Sequence, residues 1–327
     1  MDKPSRRSGG SVTIQDVART AGVSAMTVSR VVNGGVNVRQ STREAVVAAI
    51  EQLNYSPNSA ARSLAAGEAA QIGLLYANPS MAYLSHFLIG ALEGARRFAS
   101  TPVQGVILPP PLSDAPLVQD ELDAAGTPSV AVAVGMAQPG RSSVRIDDFA
   151  AAKAMTEHLI GLGHRRIGFV RGNPNNGASA ERWRGFVAAL EHAGLQVADM
   201  PVEQGLFTYR SGIDAAEGLI DRPDRPTAIF ASNDDMAAAA ISVAHRRGLH
   251  VPQDVSIVGF DDTSLATTTW PEITTIRQPI AAMAEAAVEM LLTEIRDRRA
   301  GVGDAEDEDR VLDHELVVRE SCGPAPF

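Results

Sequence analysis

The chain opens on three stretches in which apolar residues recur at helical spacing. Ile14 to Ala21 places apolar side chains at i, i+3, i+4 and i+7, which predicts an amphipathic helix. A second short helix would bury Val28, Val31 and Val32, and a third has one apolar face between Val46 and Leu53. Three short helices of this kind predict a small all-α domain at the start of the chain.

Turn and capping residues separate the first two helices. Thr13 can cap the first helix, Gly22 can adopt a positive φ in the break, and Ser24 can cap the second helix. Ser41 and Glu44 have capping-box spacing and predict the start of the third helix. Two short helices around a glycine turn, the second with a polar outer face, are typical of a DNA-binding helix-turn-helix. An ordinary helical hairpin with a solvated face is the alternative.

After residue 70 the pattern changes to short apolar runs that alternate with amphipathic helices. Strands are predicted at residues 72–76, 103–108, 130–134, 144–147, 166–170, 228–231 and 255–260. Helices are predicted at residues 84–98, 117–125, 150–162, 182–193, 209–220 and 236–247. Continuous apolar strands separated by helices predict parallel sheets covered on both faces. Two open α/β lobes of this kind bind ligands at the carboxyl ends of their strands.

A series of short motifs over residues 12–67 resembles the lactose-repressor family of bacterial transcription regulators. The motifs are Thr-Ile-x-Asp-Val-Ala, Ala-Gly-Val-Ser, Thr-Val-Ser-Arg-Val-x-Asn, Asn-Tyr-x-Pro-Asn and Ala-Arg-Ser-Leu. The resemblance implies a homodimeric repressor of a pseudo-palindromic, double-stranded operator. It also implies a helix-turn-helix domain at residues 1–57, a hinge helix at 58–67 and an effector-binding and dimerisation core at 68–327.

The resemblance also carries over a set of DNA contacts. Those expected are Thr13, Ser24, Ala25, Met26, Thr27, Ser29, Arg30, Asn33, Asn58, Ala61 and Leu64. Leu64 would enter a central minor-groove step and kink the DNA. Ala25 and Met26 open the recognition helix and would set half-site preference through thymine methyl groups or shape, since neither can form bidentate base contacts.

The core resembles periplasmic binding proteins, with two lobes expected at residues 70–146 plus 279–300 and 147–278 plus 311–320. The effector-binding residues implied are Ser80, Tyr83, Arg182, Phe207, Asn233 and Asp261. Asn233 and Asp261 follow predicted strands and could bind adjacent hydroxyl groups, so a sugar or sugar derivative is expected. A purine co-repressor is the alternative, and a stand-alone sugar-binding protein is less favoured. In the simplest structural interpretation Asp234, Asp235 and Asp262 cap helices and turns.

One departure from the family pattern concerns the first lobe. After residue 100 the family has a second strand and helix, whereas here the chain passes directly to the strand at residues 103–108. Either the protein truly lacks one β-α unit, or the residues of that unit were left out of the sequence. A right-handed crossover can still connect the two flanking strands, and the first strand would then become an edge of the sheet.

Charge and composition refine this interpretation. The net charge is −10, but residues 1–67 hold eight Lys or Arg against four Asp or Glu. A basic head on an acidic body suits phosphate binding at one end only. The lone cysteine, Cys322, excludes an intramolecular disulfide.

No signal peptide or 18-residue apolar run is visible, so a cytoplasmic protein is expected. Hydrolase, P-loop, zincin and dinucleotide motifs are absent from the sequence, so neither enzymatic activity nor a cofactor or metal is expected. The side chains of Tyr76, Trp183 and Trp270 are predicted to belong to the core, and His164 to have a structural role.

Overall fold

The structure is a computed structural model that describes residues 14–32, 39–53, 71–74, 83, 86–87, 104–300 and 307–326. It forms two compact units, residues 1–69 and 70–327. Six of the predicted site residues lie outside the described residues, namely Thr13, Asn33, Asn58, Ala61, Leu64 and Ser80. Tyr76 lies outside them as well, and Ser29 is described by its backbone alone.

The first unit contains the three predicted helices, α1 (Ile14–Ala21), α2 (Ala25–Val32) and α3 (Gln40–Gln52). Their shared core is built from Val17, Ala18, Val28, Val31, Val46 and Ala49. Gly22 lies between α1 and α2 with φ +67°. The Ser24 hydroxyl accepts a hydrogen bond from the Thr27 amide at 3.2 Å, so the predicted cap of α2 is confirmed.

The start of α3 differs from the prediction. The helix begins at Gln40, and the carbonyl of Arg39 accepts hydrogen bonds from the amides of Thr42 and Arg43. Ser41 therefore lies inside the first turn, and the carboxylate of Glu44 accepts from the side chain of Gln40 at 3.0 Å. The capping-box prediction was wrong because the helix starts at Gln40, two residues before Thr42, the first helical residue that Ser41 could cap.

The second unit contains eleven strands in its described residues. They are β1 (Gln71–Leu74), β2 (Gln104–Leu108), β3 (Ser129–Val132), β4 (Ser142–Ile146), β5 (Ile167–Arg171), β6 (Val202–Gln204), β7 (Ala228–Ala231), β8 (Ser256–Val258), β9 (Thr275–Arg277), β10 (Asp309–Leu312) and β11 (Glu315–Val317). The helices are α4 (Pro116–Ala124), α5 (Asp148–Gly161), α6 (Gly177–His192), α7 (Tyr209–Ile220), α8 (Asp234–Arg246), α9 (Ser264–Thr268) and α10 (Ile280–Ala300).

These strands form two parallel sheets, which define two lobes. The first sheet has the order β1-β2-β3-β4-β10 and the second the order β6-β5-β7-β8. A small antiparallel pair, β9 and β11, completes the unit. Every strand and helix predicted after residue 103 is present, with boundaries shifted by at most five residues. The largest shift is in α6, which starts at Gly177 because the Asn176 side chain caps it there.

Strand β1 pairs directly with β2, with Gln71 opposite Gln104. Within the described residues β1 pairs with no strand on its other side. The first sheet therefore keeps its parallel order from β1 onward, although only residues 75–103 connect these two strands.

The end of the chain contradicts one predicted lobe boundary. Residues 311–320 were assigned to the second lobe, but Val311 and Leu312 belong to β10, which pairs with β4 in the first sheet. Strand β11 lies outside that sheet, and its Leu316 pairs with Ile276 of β9. The assignment of residues 311 and 312 was wrong because either sheet offers a parallel edge, and only the complete fold decides between them.

Helix α10 packs against the first sheet, and one glycine makes the close approach possible. A Cβ built on Gly105 of β2 would lie 2.7 Å from Cδ1 of Leu291 and 2.9 Å from Cδ1 of Ile295. The neighbouring Gly73 of β1 has more space, because its nearest contacts would be at 3.6 Å. Among the described residues, no helix is long and apolar enough to span a bilayer.

Gly105→Ala should therefore destabilise the second unit by about 1–3 kcal/mol through overpacking against α10. Gly73→Ala, in the adjacent strand, is the matched control and should be neutral or slightly stabilising, since alanine loses less entropy on folding. Both tryptophans of the chain, Trp183 and Trp270, lie in this unit, so their fluorescence during urea unfolding measures the difference. Equal unfolding midpoints for the two variants would contradict the packing argument.

Candidate functional site

The outward face of α2 is the candidate DNA-contacting surface. Val28 and Val31 are buried against α1 and α3, whereas Met26 is 66% exposed and Arg30 is also exposed. The guanidinium of Arg30 lies 3.9 Å from the sulfur of Met26, one helical turn away. Ala25 is half-buried and packs against the core of the first unit. The surface thus presents a cation beside a large apolar side chain. This combination suits a major groove, which displays thymine methyl groups and is flanked by phosphates.

Ser24 and Thr27 have a structural task on the same helix. Their hydroxyl oxygens are 2.9 Å apart, and Ser24 also accepts from the Thr27 amide. Ser24 is exposed and Thr27 is half-buried, so both hydroxyls remain close to the surface of the first turn. A contact from either residue to a phosphate would have to share or replace this pair.

A pocket in the second unit brings together five of the six predicted effector residues. Its lining consists of Tyr83, Pro110, Ala133, Asn176, Ala178, Arg182, Phe207, Asn233, Asp261 and Gln278. The space between these residues is about 350 Å³ including the part open to solvent, and about 30 Å³ of it can hold the centre of a water molecule. Most lining residues follow the carboxyl ends of strands from both sheets, which is where open α/β sheets place ligands. Tyr83, Arg182, Phe207, Asn233 and Asp261 are the predicted members.

Arg182 is the most constrained side chain of the pocket. It is 4% exposed, and its Nε donates to Oδ1 of Asp148 at 2.8 Å. Its Nη1 donates to the carbonyl of Ser232 and lies 3.6 Å from Oδ1 of Asp261. The guanidinium also stacks 3.6 Å from the ring centre of Phe260. A buried cation needs such partners, and together they hold its position and orientation.

Asp261 provides a buried carboxylate opposite this arginine. The side chain is held by Gln278, whose Nε2 donates to Oδ1 at 2.6 Å. Burial raises the pKa of Asp261 to about 7, against the opposing effects of Arg182 and Gln278, which favour the charged form. Gln278 and Asn176 were not predicted as pocket residues. The only local signal for Gln278 is its position directly after the short strand β9.

Asn233 lines the pocket but is also the N-cap of α8. Its Oδ1 accepts from the Met236 amide at 3.0 Å, and its Nδ2 donates to the Phe207 carbonyl at 3.0 Å. Asp234 does not cap α8, because it lies within the first turn of that helix. Its carboxylate accepts from Thr263 and Thr275, and burial raises its pKa well above the usual value.

The other suggested caps differ as well. Asp235 follows Asp234 inside the first turn of α8. Asp262 pairs with Arg277 and Arg319, each at 2.6 Å, and so stabilises the chain after β8 by ion pairs. The helix beginning at Ser264 has no side-chain cap from Asp262, because its N-cap residue is Thr263.

Backbone strain concentrates around the pocket. Among the described residues, four that are not glycine have positive φ, and three of them line the pocket: Ala133 (+54°), Phe207 (+62°) and Asp261 (+109°). Such conformations cost about 1–3 kcal/mol each and cluster at functional sites. The fourth is Asp262, next to Asp261.

Of the remaining predictions, those for Trp183 and His164 agree with the structure and the one for Trp270 does not. Trp183 is partly buried and packs on Phe169, with ring centres 5.4 Å apart, as a core residue should. Trp270 is 76% exposed, so its predicted place in the core was wrong. It stacks against His245 on the surface of α8, because the segment after α9 crosses the outside of that helix. The structural role of His164 is confirmed, since the buried ring bonds to Thr227 and to the Gly323 carbonyl.

Comparison with known proteins agrees with this geometry. The family of bacterial regulatory proteins called lacI matches residues 13–58, and the periplasmic binding protein-like domain matches residues 156–322. The catabolite control protein A of Priestia megaterium is 35% identical over 86% of this chain and 91% of its own. The chain belongs to the LacI family.

Two solved structures of LacI-family regulators extend the likeness to nearly the whole chain. A Lac repressor dimer bound to operator and the anti-inducer ONPF has a TM-score of 0.79 at 28% identity, over 95% of this chain and 99% of that one. A complex of the regulator CelR with cellobiose has a TM-score of 0.70 at 30% identity, with the same coverage. The helix-turn-helix head and the two-lobed α/β core predicted from the sequence are thereby confirmed, and the relatives are transcription regulators, not enzymes.

The buried carboxylate of Asp234 predicts how the stability of the second unit depends on pH. Because the pKa of Asp234 is raised in the folded core, the unfolded chain releases this proton at a lower pH than the folded protein does. The carboxylate therefore destabilises the core increasingly as pH rises above about 4. Asp234→Asn should therefore gain stability relative to the parent as pH rises above about 4. Urea unfolding at several pH values and constant ionic strength measures this difference.

Asp221→Asn is the matched control. The carboxylate of Asp221 pairs with Arg247 at the surface, and that pairing lowers its pKa. Its removal should give no such gain as pH rises. A stability difference between Asp234→Asn and the parent that stays constant across pH 5–8 would contradict the assignment.

Proposed function

We propose that this protein is a repressor that binds a pseudo-palindromic operator as a homodimer in the cytoplasm. Its operator affinity would be controlled by a small molecule bound in the pocket between the lobes. The observation that carries the proposal is the pocket itself, in which the buried Arg182 of α6 faces the buried Asp261 after β8. The same chain presents Met26 and Arg30 on an exposed helix for DNA. A stand-alone sugar-binding protein would have no use for that head.

The chemistry of the pocket favours a carbohydrate as the effector. Arg182 is paired with Asp148 and faces Asp261, so the cation of the pocket already has acidic partners and is not free to bind an anionic ligand. Asn176, Asp261 and Gln278 add side-chain donors and acceptors in one place, as several adjacent hydroxyl groups require. The cellobiose complex of CelR is consistent with this ligand class.

A purine co-repressor is the second candidate, and one observation supports it. Tyr83 and Phe207 both line the pocket, and either ring could stack on a base as well as on the C–H face of a sugar. Thermal-shift measurements with a panel of sugars and purines distinguish the two. Stabilisation of the protein by a sugar alone agrees with the carbohydrate proposal. If a purine releases the protein from operator DNA or recruits the protein to it, the carbohydrate proposal is wrong.

The remaining DNA contacts stay predictions. Ser24, Thr27, Ser29 and Arg30 would contact the operator from the head, and Leu64 would kink its centre. Of the two residues that open α2, Met26 is exposed, whereas Ala25 is partly covered by the core of the first unit. Met26 is therefore the more direct determinant of half-site preference than Ala25.

Met26→Gln should therefore change operator preference. Glutamine can form two hydrogen bonds with adenine, which is worth about 1–3 kcal/mol of discrimination against other bases. Binding-site selection with the full-length protein should then recover an altered base at one or two half-site positions. Val47→Gln, which changes an exposed apolar residue of α3, is the control and should recover the parental site. An unchanged site for Met26→Gln would exclude Met26 as a determinant.

Asp261→Asn should weaken binding of the effector sugar by about 2–3 kcal/mol, since hydrogen bonds to a charged acceptor are the stronger ones. Asparagine tolerates the positive φ at this position, so operator binding should survive. Calorimetric titration should also show the parental affinity rising as pH increases through about 7, where Asp261 ionises. Glu191→Gln, an exposed carboxylate at the end of α6, is the control. Full sugar affinity in Asp261→Asn would refute the assignment.

A further inference from the structure

A carboxylate of the first lobe is hydrogen-bonded to the second lobe beside the pocket. Asp114 ends a short 3-10 turn, Leu112–Asp114, after β2. Its Oδ2 accepts a hydrogen bond from the backbone amide of Gly177 at 2.9 Å, and the nearby amide of Gly135 favours the charged form of the same carboxylate. Gly135 follows β3 in the first lobe, whereas Gly177 begins α6 in the second. Asp114 therefore bridges backbone groups of the two lobes.

The two glycines bring the backbones of the lobes into direct contact. A Cβ built on Gly135 would overlap the carbonyl carbon of Gly177 and lie 2.5 Å from its oxygen. A Cβ on Gly177 would lie 2.7 Å from Oδ1 of Asp114 and 3.0 Å from the nitrogen of Gly135. Since any side chain at either position would separate the lobes here, glycine at both positions permits the contact.

The Gly177 amide gains a partner that its own helix cannot supply. The first amides of a helix have no intrahelical acceptor, and a carboxylate there also interacts favourably with the helix dipole. Five residues later the same helix carries Arg182, which lies in the pocket. The start of α6 is thus bound to the first lobe, and its second turn contributes the central cation of the pocket.

Hydrogen bonds of Gln119 hold the turn that carries Asp114 in place. The side chain of Gln119, 2% exposed, donates to the carbonyl of Ser113, the residue before Asp114. The Oε1 of Gln119 in turn accepts from Arg141, on the segment between β3 and β4. A buried side-chain amide with both ends bonded restricts the turn that presents Asp114.

The bridge also forms part of the pocket wall. Ala133 lies two residues before Gly135, and Asn176 and Ala178 flank Gly177; all three line the pocket. Any separation of the lobes at Gly135 and Gly177 therefore displaces pocket residues on both sides. The contact between the lobes is formed entirely by groups of the protein itself.

We propose that Asp114 is a positioning residue that clasps the two lobes beside the pocket, so that cleft closure depends on the Asp114–Gly177 hydrogen bond as well as on any bound effector. The inference deepens the proposed function, because it concerns regulation of the same pocket. Its test requires no ligand. The clasp can therefore fail while the repressor proposal stands, and the repressor proposal can fail while the clasp stands.

The first measurement is amide hydrogen exchange in the full-length protein without added ligand. In Asp114→Ala the Gly177 amide should lose its acceptor and exchange about 10- to 100-fold faster, as expected for loss of a hydrogen bond to a charged group. The Phe186 amide, deep in α6, should keep its parental rate and so shows that the helix remains folded. Glu121→Ala removes an exposed carboxylate of α4 in the same lobe and is the control.

The second measurement is the distance between the lobes. Spin labels at Leu117→Cys in α4 and Glu191→Cys in α6, in a Cys322→Ser background, report it by pulsed electron resonance. Excess unlabelled chain ensures that each dimer carries one labelled copy. Asp114→Ala and Gly177→Ala should both shift the distribution away from the parental distance. Gly161→Ala, whose Cβ would meet nothing within 4 Å, should not.

Two results would overturn the clasp. One is an unchanged exchange rate at Gly177 in Asp114→Ala. The other is faster exchange with a parental distance distribution in both variants, because the hydrogen bond would then cap α6 without holding the lobes. Faster exchange together with a shifted distribution supports the proposal.

Discussion

The buried guanidinium of Arg182 is the constraint on which the pocket depends. A charge removed from water is tolerated only with partners of good geometry, and those of Arg182 come from three separate elements. Asp148 lies at the start of α5, Ser232 follows β7, and Asp261 follows β8. Each partner must be correctly placed for the others to be stable. The arginine thereby ties the ends of two strands to two helices and orients the polar groups of the cleft.

The same region concentrates buried carboxylates. Burial raises the pKa of Asp114, Asp148, Asp234 and Asp261, and each of the four has hydrogen-bond donors around it. A core built in this way is less stable than an apolar one would be at neutral pH, and the strained backbone of the pocket adds to that. In return the acceptors and donors have defined positions, which is what recognition of a polar neutral ligand requires.

The two units of the chain show different solutions to the same folding problem. The first unit is small, and in its described part six buried apolar side chains form the core. Its second helix can therefore leave Met26 and Arg30 in solvent. The second unit is large enough to cover both sheets, and it can bury polar networks at the carboxyl ends of its strands. The direct pairing of β1 with β2 leaves the parallel order of the first sheet intact.

The sequence by itself determined the three helices of the head and the alternation of strands and helices. It also named six candidate effector residues, of which five share one pocket and the sixth, Ser80, lies outside the described residues. Periodicity, capping and turn formation act between near neighbours, so a linear pattern contains them. Only the tertiary structure decided that β10 joins the first sheet, that Trp270 is exposed and that Gln278 supports Asp261. It also decided that Asp114 meets Gly177, 63 positions further along the chain. Such contacts depend on how whole elements pack, and no local pattern records which distant surface a side chain will meet.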